Sequence, residues 1–168
     1  VTRNQHHRER DHFGLDYDTY IATTSGVGDF PEDTLLHTVL QNVATTGLSI
    51  IMDGYQTPIR VGNRGWVEVP FPATITYVRM LSDQVCNVVV DIWKTTFASY
   101  PPSAANSICA SMKPTISGSS IKAELGTLQY PMTGWTTSVD SGDILWFHVD
   151  SNDVSTLLTI SMTLARSS

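Results

Sequence analysis

Glu68, Asp91, Glu124, Asp140, Asp143, Asp150 and Asp153 supply carboxylates from which a glycosidase would need one pair facing each other across a cleft. Their contexts argue against such a pair. Glu68 alternates with Val67 and Val69, which turns it to solvent. Asp140 and Asp143 flank a turn, where short acids bond the local backbone. Asp150-Ser151-Asn152-Asp153 is an acidic loop that could hold a calcium ion, but it lacks EF-hand spacing and reads better as a plain turn. Asp91 sits between Val90 and Ile92, where a hydrogen-bonded structural aspartate is the default. Nucleophilic chemistry fares no better. There is no G-x-S-x-G, His148 falls within a strand, and neither Cys86 nor Cys109 has a histidine beside it in sequence. Of His6, His7 and His12, the last two stand with Glu9 in the order H-x-E-x-x-H. Residues five apart do not share a helix face, so a solvated or partner-bound tail explains them better than a metal site. The sequence therefore predicts no enzyme, no catalytic group, no cofactor and no metal.

What remains is aromatic. Tyr55, Trp66, Phe97, Tyr100, Tyr130 and Trp135 fall in or near loops, where aromatic faces bind sugars or anchor interfaces. Tyr55, Trp66, Tyr100 and Trp135 are the candidate ligand-facing residues.

The element that must organise these groups is the run from Cys86 to Pro102. Val88, Val89, Val90, Ile92 and Trp93 are β-branched or aromatic and apolar at both parities, which predicts a strand covered on both faces. Tyr100-Pro101-Pro102 ends its pairing, because proline donates nothing to a ladder. Further strands are predicted at 48–52, 58–61, 65–69, 74–81, 107–112, 121–125, 143–149 and 156–164. The last has a clean period of two, with Leu158, Ile160, Met162 and Leu164 inward. Turns are marked by Asp53-Gly54, Gly62-Asn63-Arg64-Gly65, Ser117-Gly118-Ser119-Ser120 and Ser141-Gly142-Asp143. Many short strands without intervening helices predict a mainly β chain folded as an antiparallel, jelly-roll-like sandwich over 48–168.

Ahead of it, residues 1–47 predict a short arm and one helix. Asp16, Asp18 and Asp29 make the arm acidic. Asp29 can cap a helix over 31–44, with Pro31 in its first turn and Glu32 completing a capping box. Leu35, Leu36, Val39, Leu40 and Val43 share one face. At about 21 Å such a helix is marginal alone, so the stripe buries either against the sandwich or against copies of itself on an oligomer axis.

Composition sets the class. The 168 residues are enough for one domain and a small appendage; 41% are hydrophobic, only 15% are charged, and Ser and Thr outnumber the charged residues. A net charge of −6 with no basic patch excludes nucleic acid as a natural partner. No run is apolar for the roughly 18 residues a membrane span needs, and residues 1–12 hold no apolar leader. Cys86 and Cys109 lack C-x-x-C spacing and read as free, small core residues, with a disulfide as the alternative.

Several blocks, in order, resemble a recurrent domain of tailed-bacteriophage structural proteins. Trp66-Val67-Glu68-Val69-Pro70-Phe71 through Ala73-Thr74-Ile75 is similar to its opening. Val89-Val90-Asp91-Ile92-Trp93-Lys94 followed by Tyr100-Pro101-Pro102 is similar to its hallmark. Gly134-Trp135-Thr136-Thr137, Ser141-Gly142-Asp143-Ile144-Leu145 and residues 158–166 are similar to its late segments. The resemblance covers about residues 50–166. It implies a β-sandwich in a minor tail, tail-fibre or other virion-surface protein, commonly a homotrimer, without a cofactor. Its partners would be other virion proteins of tail or capsid and a host-surface glycan or receptor. It supplies no catalytic residue. Members often carry long tail or collagen-like segments ahead of this domain. Residues 1–47 stand in that place here, which predicts a protein fastened to the particle by its arm and helix.

Overall fold

In the computed structural model, which describes residues 45–167, the valine-rich run becomes β4 (Val88–Thr95), an inner strand of one of two antiparallel sheets. The helix expected over 31–44, with Leu35, Leu36, Val39, Leu40 and Val43, lies outside the described residues, as do the acidic arm and His6, His7 and His12. The other long strands are β1 (Thr45–Asp53), β2 (Gly62–Glu68), β3 (Ala73–Ser82), β8 (Ile144–Asn152) and β9 (Leu157–Arg166). Between β4 and β8 come the short strands β5 (Thr115–Ile116), β6 (Lys122–Leu125) and β7 (Ser138–Val139).

The pairing is nested. β1 pairs with β9, β2 with β8, β3 with β6 and β4 with β5. The chain thus runs out through four strands and returns along them in reverse order. Rolling that double ribbon brings β9 beside β3 and β8 beside β4. The sheets are then β1-β9-β3-β6 and β2-β8-β4-β5, with β7 added on β3. This is the jelly-roll form of the antiparallel sandwich expected from the sequence.

The core lies between the sheets. Leu158, Ile160, Met162 and Leu164 point inward, as their alternation predicts, and join Ile75, Val78 and Met80 from β3. A bulge between Ile75 and Tyr77 resets the parity of β3, so two residues three apart both reach the core. Val90, Ile92, Leu145, Phe147 and Val149 answer from the second sheet. Cys86 and Cys109 are both buried and unpaired.

Several boundaries differ from those expected. β1 takes in Thr45, Thr46 and Gly47, and β8 runs on through Asp150, Ser151 and Asn152, because each has a long partner strand to pair with. Gly62-Asn63-Arg64-Gly65 is no turn but the bulged start of β2, held by β8. The apolar runs at 58–61 and 107–112 are not strands. Ile59 tucks in through its amide to the Ser155 carbonyl. The second run makes one bridge, Trp93 to Ser107, then turns through Ala110 at φ 48° and pushes Ile108 and Cys109 into the core. Their apolarity reflects burial in a plug, which periodicity over six residues does not separate from a strand.

Candidate binding face

Inward residues of the second sheet fix what its other face carries. With Val67, Leu145, Phe147, Val90 and Ile92 toward the core, the intervening positions point outward. The register places Trp66 opposite Trp146 and Trp146 opposite Trp93, so one rung crosses three strands as three tryptophans. The neighbouring rung is Asn63, His148 and Asp91.

The tryptophans stack rather than scatter. Trp66 and Trp146 have ring centroids 5.3 Å apart and planes 19° from parallel. Trp93 stacks diagonally on His148 at 4.6 Å and 15°. The segment after β4 folds back over this face through two 3-10 turns, Phe97–Ser99 and Ala104–Asn106. It lays Tyr100 against Trp146 at 5.2 Å and edge-on to Trp66 at 6.4 Å and 70°. That cover leaves Trp93 and Trp146 only 8% and 7% exposed, whereas Trp66, on the edge strand β2, stays 60% exposed. The indole N–H groups of Trp93 and Trp146 are buried and meet no acceptor with hydrogen-bond geometry among the described residues.

Beside the stack lies an ionic cluster. The Lys113 ammonium sits 2.9 Å from Asp91 and 2.6 Å from Asp150. The Ser107 hydroxyl donates to Asp91 at 2.5 Å, and the His148 ring nitrogen Nδ1 lies 2.9 Å from Asp150. Burial alone would raise the Asp91 carboxyl, but the hydrogen bonds from Ser107 and Lys113, with the Lys113 charge, carry it below the ordinary aspartate range. The Trp93 indole leans toward the same carboxylate and favours its charged form without closing a true hydrogen bond. Hydrogen bonds to Asp150 and then Asp91 raise the Lys113 ammonium above its ordinary value. A carboxylate shifted down is the wrong acid to protonate a leaving group, and His148 is committed to Asp150. Cys109 is no nucleophile either, since burial pushes its thiol far above neutrality. The cluster is built to hold charge in place.

No protein-family model matches the chain, and no curated protein matches it.

Of the four aromatics picked from the sequence, Trp66 and Tyr100 come together on this face. Tyr55 stands apart in the tight turn after β1, exposed and at φ 54°. Trp135 does not face solvent. It is 9% exposed, packs into the core, and its indole N–H donates to the Met112 carbonyl at 2.8 Å. Its glycine and threonine neighbours look like a surface loop, but the loop folds inward to fill the space under the 107–112 plug. Sequence reasoning missed Trp93 and Trp146 as members of the face. The signal was present as apolar residues at both parities of two strands; only the register shows that they meet. A separate concavity of about 880 Å³ opens at the edge where β5 and β6 lie, bordered by Met80, Met112, Pro114, Glu124 and Tyr130.

Proposed function

We propose that this chain is a non-enzymatic structural protein of a tailed-phage particle, displaying its jelly roll outward as a tail-fibre, receptor-binding or minor tail component. The observation that carries this reading is where the resembling blocks fall. Trp66-Val67-Glu68 lies in β2, Val89-Val90-Asp91-Ile92-Trp93-Lys94 in β4, Ile144-Leu145 opens β8, and residues 158–166 lie in β9. These blocks build the two sheets and the aromatic outer face, and Gly134-Trp135-Thr136-Thr137 is a loop that packs Trp135 into the core, so the likeness follows the architecture of the domain and not scattered surface positions. The ionic groups support the same reading: one Lys113 ammonium pins both Asp91 and Asp150 in a rigid cluster. The residues ahead of β1 fasten the sandwich to other virion proteins, and copies assemble as a homotrimer.

Mass spectrometry of purified particles, followed by a symmetry-averaged reconstruction, tests it. The expected map has sets of three jelly rolls at the tail surface. Absence of the chain from purified particles would refute the proposal, and density on the head would make the protein a capsid decoration or spike.

A further inference from the structure

The stack of tryptophans ends at Trp66. Its inner ring face is covered by Trp146. β2 is an edge strand of its sheet, so among the described residues no further strand covers the opposite ring face. Two contacts fix the ring: the parallel face of Trp146 and the perpendicular edge of Tyr100. The result is a rigid indole plane with one aromatic wall, and an anchor that is already ordered binds without the added cost of immobilising its own side chain.

The polar groups around that plane indicate what it takes. Glu68 lies two residues along β2 and Asn63 beyond the bulge, both outward and exposed. Among the described residues neither side chain, nor the Tyr100 hydroxyl, makes a hydrogen bond. Groups of this kind, a planar amide, a carboxylate and a phenol, supply donors and acceptors for hydroxyls ringing a flat apolar face. A pyranose presents that combination, with axial C–H bonds on one face and hydroxyls at its rim. Charge narrows the class. Glu68 is unpaired among the described residues. An anionic sugar would meet the Glu68 carboxylate beside the plane, while the Arg64 guanidinium turns back to the Val61 carbonyl and the Lys113 ammonium is already held by two carboxylates. One indole plane and one tyrosine are also far smaller than the roughly 1,000 Å² a specific protein interface buries.

We infer that the open face of Trp66, walled by Tyr100 and flanked by Asn63 and Glu68, binds a neutral pyranose unit of a glycan. The inference goes beyond the particle assignment and stands on these side chains alone. A single site of this size is weak, and a symmetric assembly would multiply it by avidity.

The test titrates the full chain with maltohexaose, cellohexaose, mannohexaose and chitohexaose, with oligogalacturonate as the acidic arm, read by tryptophan fluorescence and saturation-transfer NMR. At least one neutral oligosaccharide binds saturably at millimolar concentration or below. Trp66→Ala weakens it by about tenfold or more, the scale of a lost aromatic anchor, and Trp66→Phe retains most of it. Tyr55→Ala, at an exposed aromatic elsewhere, leaves binding unchanged. Thermal melting confirms that each variant folds. Silence from every neutral sugar, binding by oligogalacturonate only, or binding undiminished in Trp66→Ala overturns the site. So does an oligomer that Trp66→Ala dissolves, which would assign the face to a second copy. None of these failures touches the particle assignment, which is read from virions.

Discussion

Trp66 and Trp146 sit on paired strands with rings 5.3 Å apart and nearly parallel, yet one is 60% exposed and the other 7%. The difference comes from position in the sheet: β2 is an edge strand, while β8 has a neighbour on each side and Tyr100 above it. Truncation should separate them. Trp146→Ala leaves a hole inside the stack and is expected to cost about 3–5 kcal/mol, whereas Trp66→Ala costs about 1 kcal/mol or less. Urea unfolding followed by circular dichroism measures both.

Trp135 and Trp146 allow a finer comparison. Both are buried, but only the Trp135 N–H has an acceptor, the Met112 carbonyl. Replacing each with Phe removes a similar volume. Trp135→Phe also breaks a hydrogen bond, and so is expected to cost about 1 kcal/mol more than Trp146→Phe. Equal losses in denaturant titrations would contradict this.

These aromatic pairs also show how far the sequence was legible. β4 and β8 announced themselves through runs of β-branched and aromatic residues, and β9 through the period of two set by Leu158, Ile160, Met162 and Leu164. β5 and β7 have two residues each, too few to carry a period. Trp66 and Tyr100 could be singled out as candidates, but their meeting with Trp146 depends on strand register and on a segment folding back across the sheet. Trp135 misled because glycine and threonine neighbours mark a loop without saying whether the loop turns in or out.

Asp91 links the candidate face to pH. Its folded carboxyl lies below the ordinary 3.8, so the unfolded chain binds the proton more tightly. The stabilisation is therefore fully present above about pH 4 and is lost as pH falls through the lower, folded value. Asp91→Asn is expected to flatten the acid limb of a melting-temperature profile taken from pH 6 to pH 2. Lys113→Met leaves Asp91 buried without its cation. Because Lys113 is itself about one-third exposed, the expected loss near neutral pH is about 2–3 kcal/mol, less than for a fully buried pair.

Gly126 closes β6 at φ 98°, and a Cβ there would lie 2.3 Å from the Thr76 carbonyl oxygen at the β3 bulge. The obstacle is backbone, which moves only if the bulge does. Gly126→Ala is expected to destabilise by about 2–4 kcal/mol, visible as a lowered denaturation midpoint.

Cys86 and Cys109 should be silent in the folded protein. Both are buried, and burial raises the Cys109 thiol far above neutral pH. Iodoacetamide at pH 7.5 is expected to label neither by mass spectrometry until denaturant is added, when both react.

The proposed sandwich faces outward from a particle and leaves the Trp66 plane uncovered. Brief hydroxyl-radical footprinting of intact, purified particles tests both parts at once, because the chain holds four tryptophans of very different exposure. Trp66 is expected to oxidise rapidly while Trp93, Trp135 and Trp146 stay protected. Protection of all four, or oxidation of Trp66 no faster than the buried three, would contradict it.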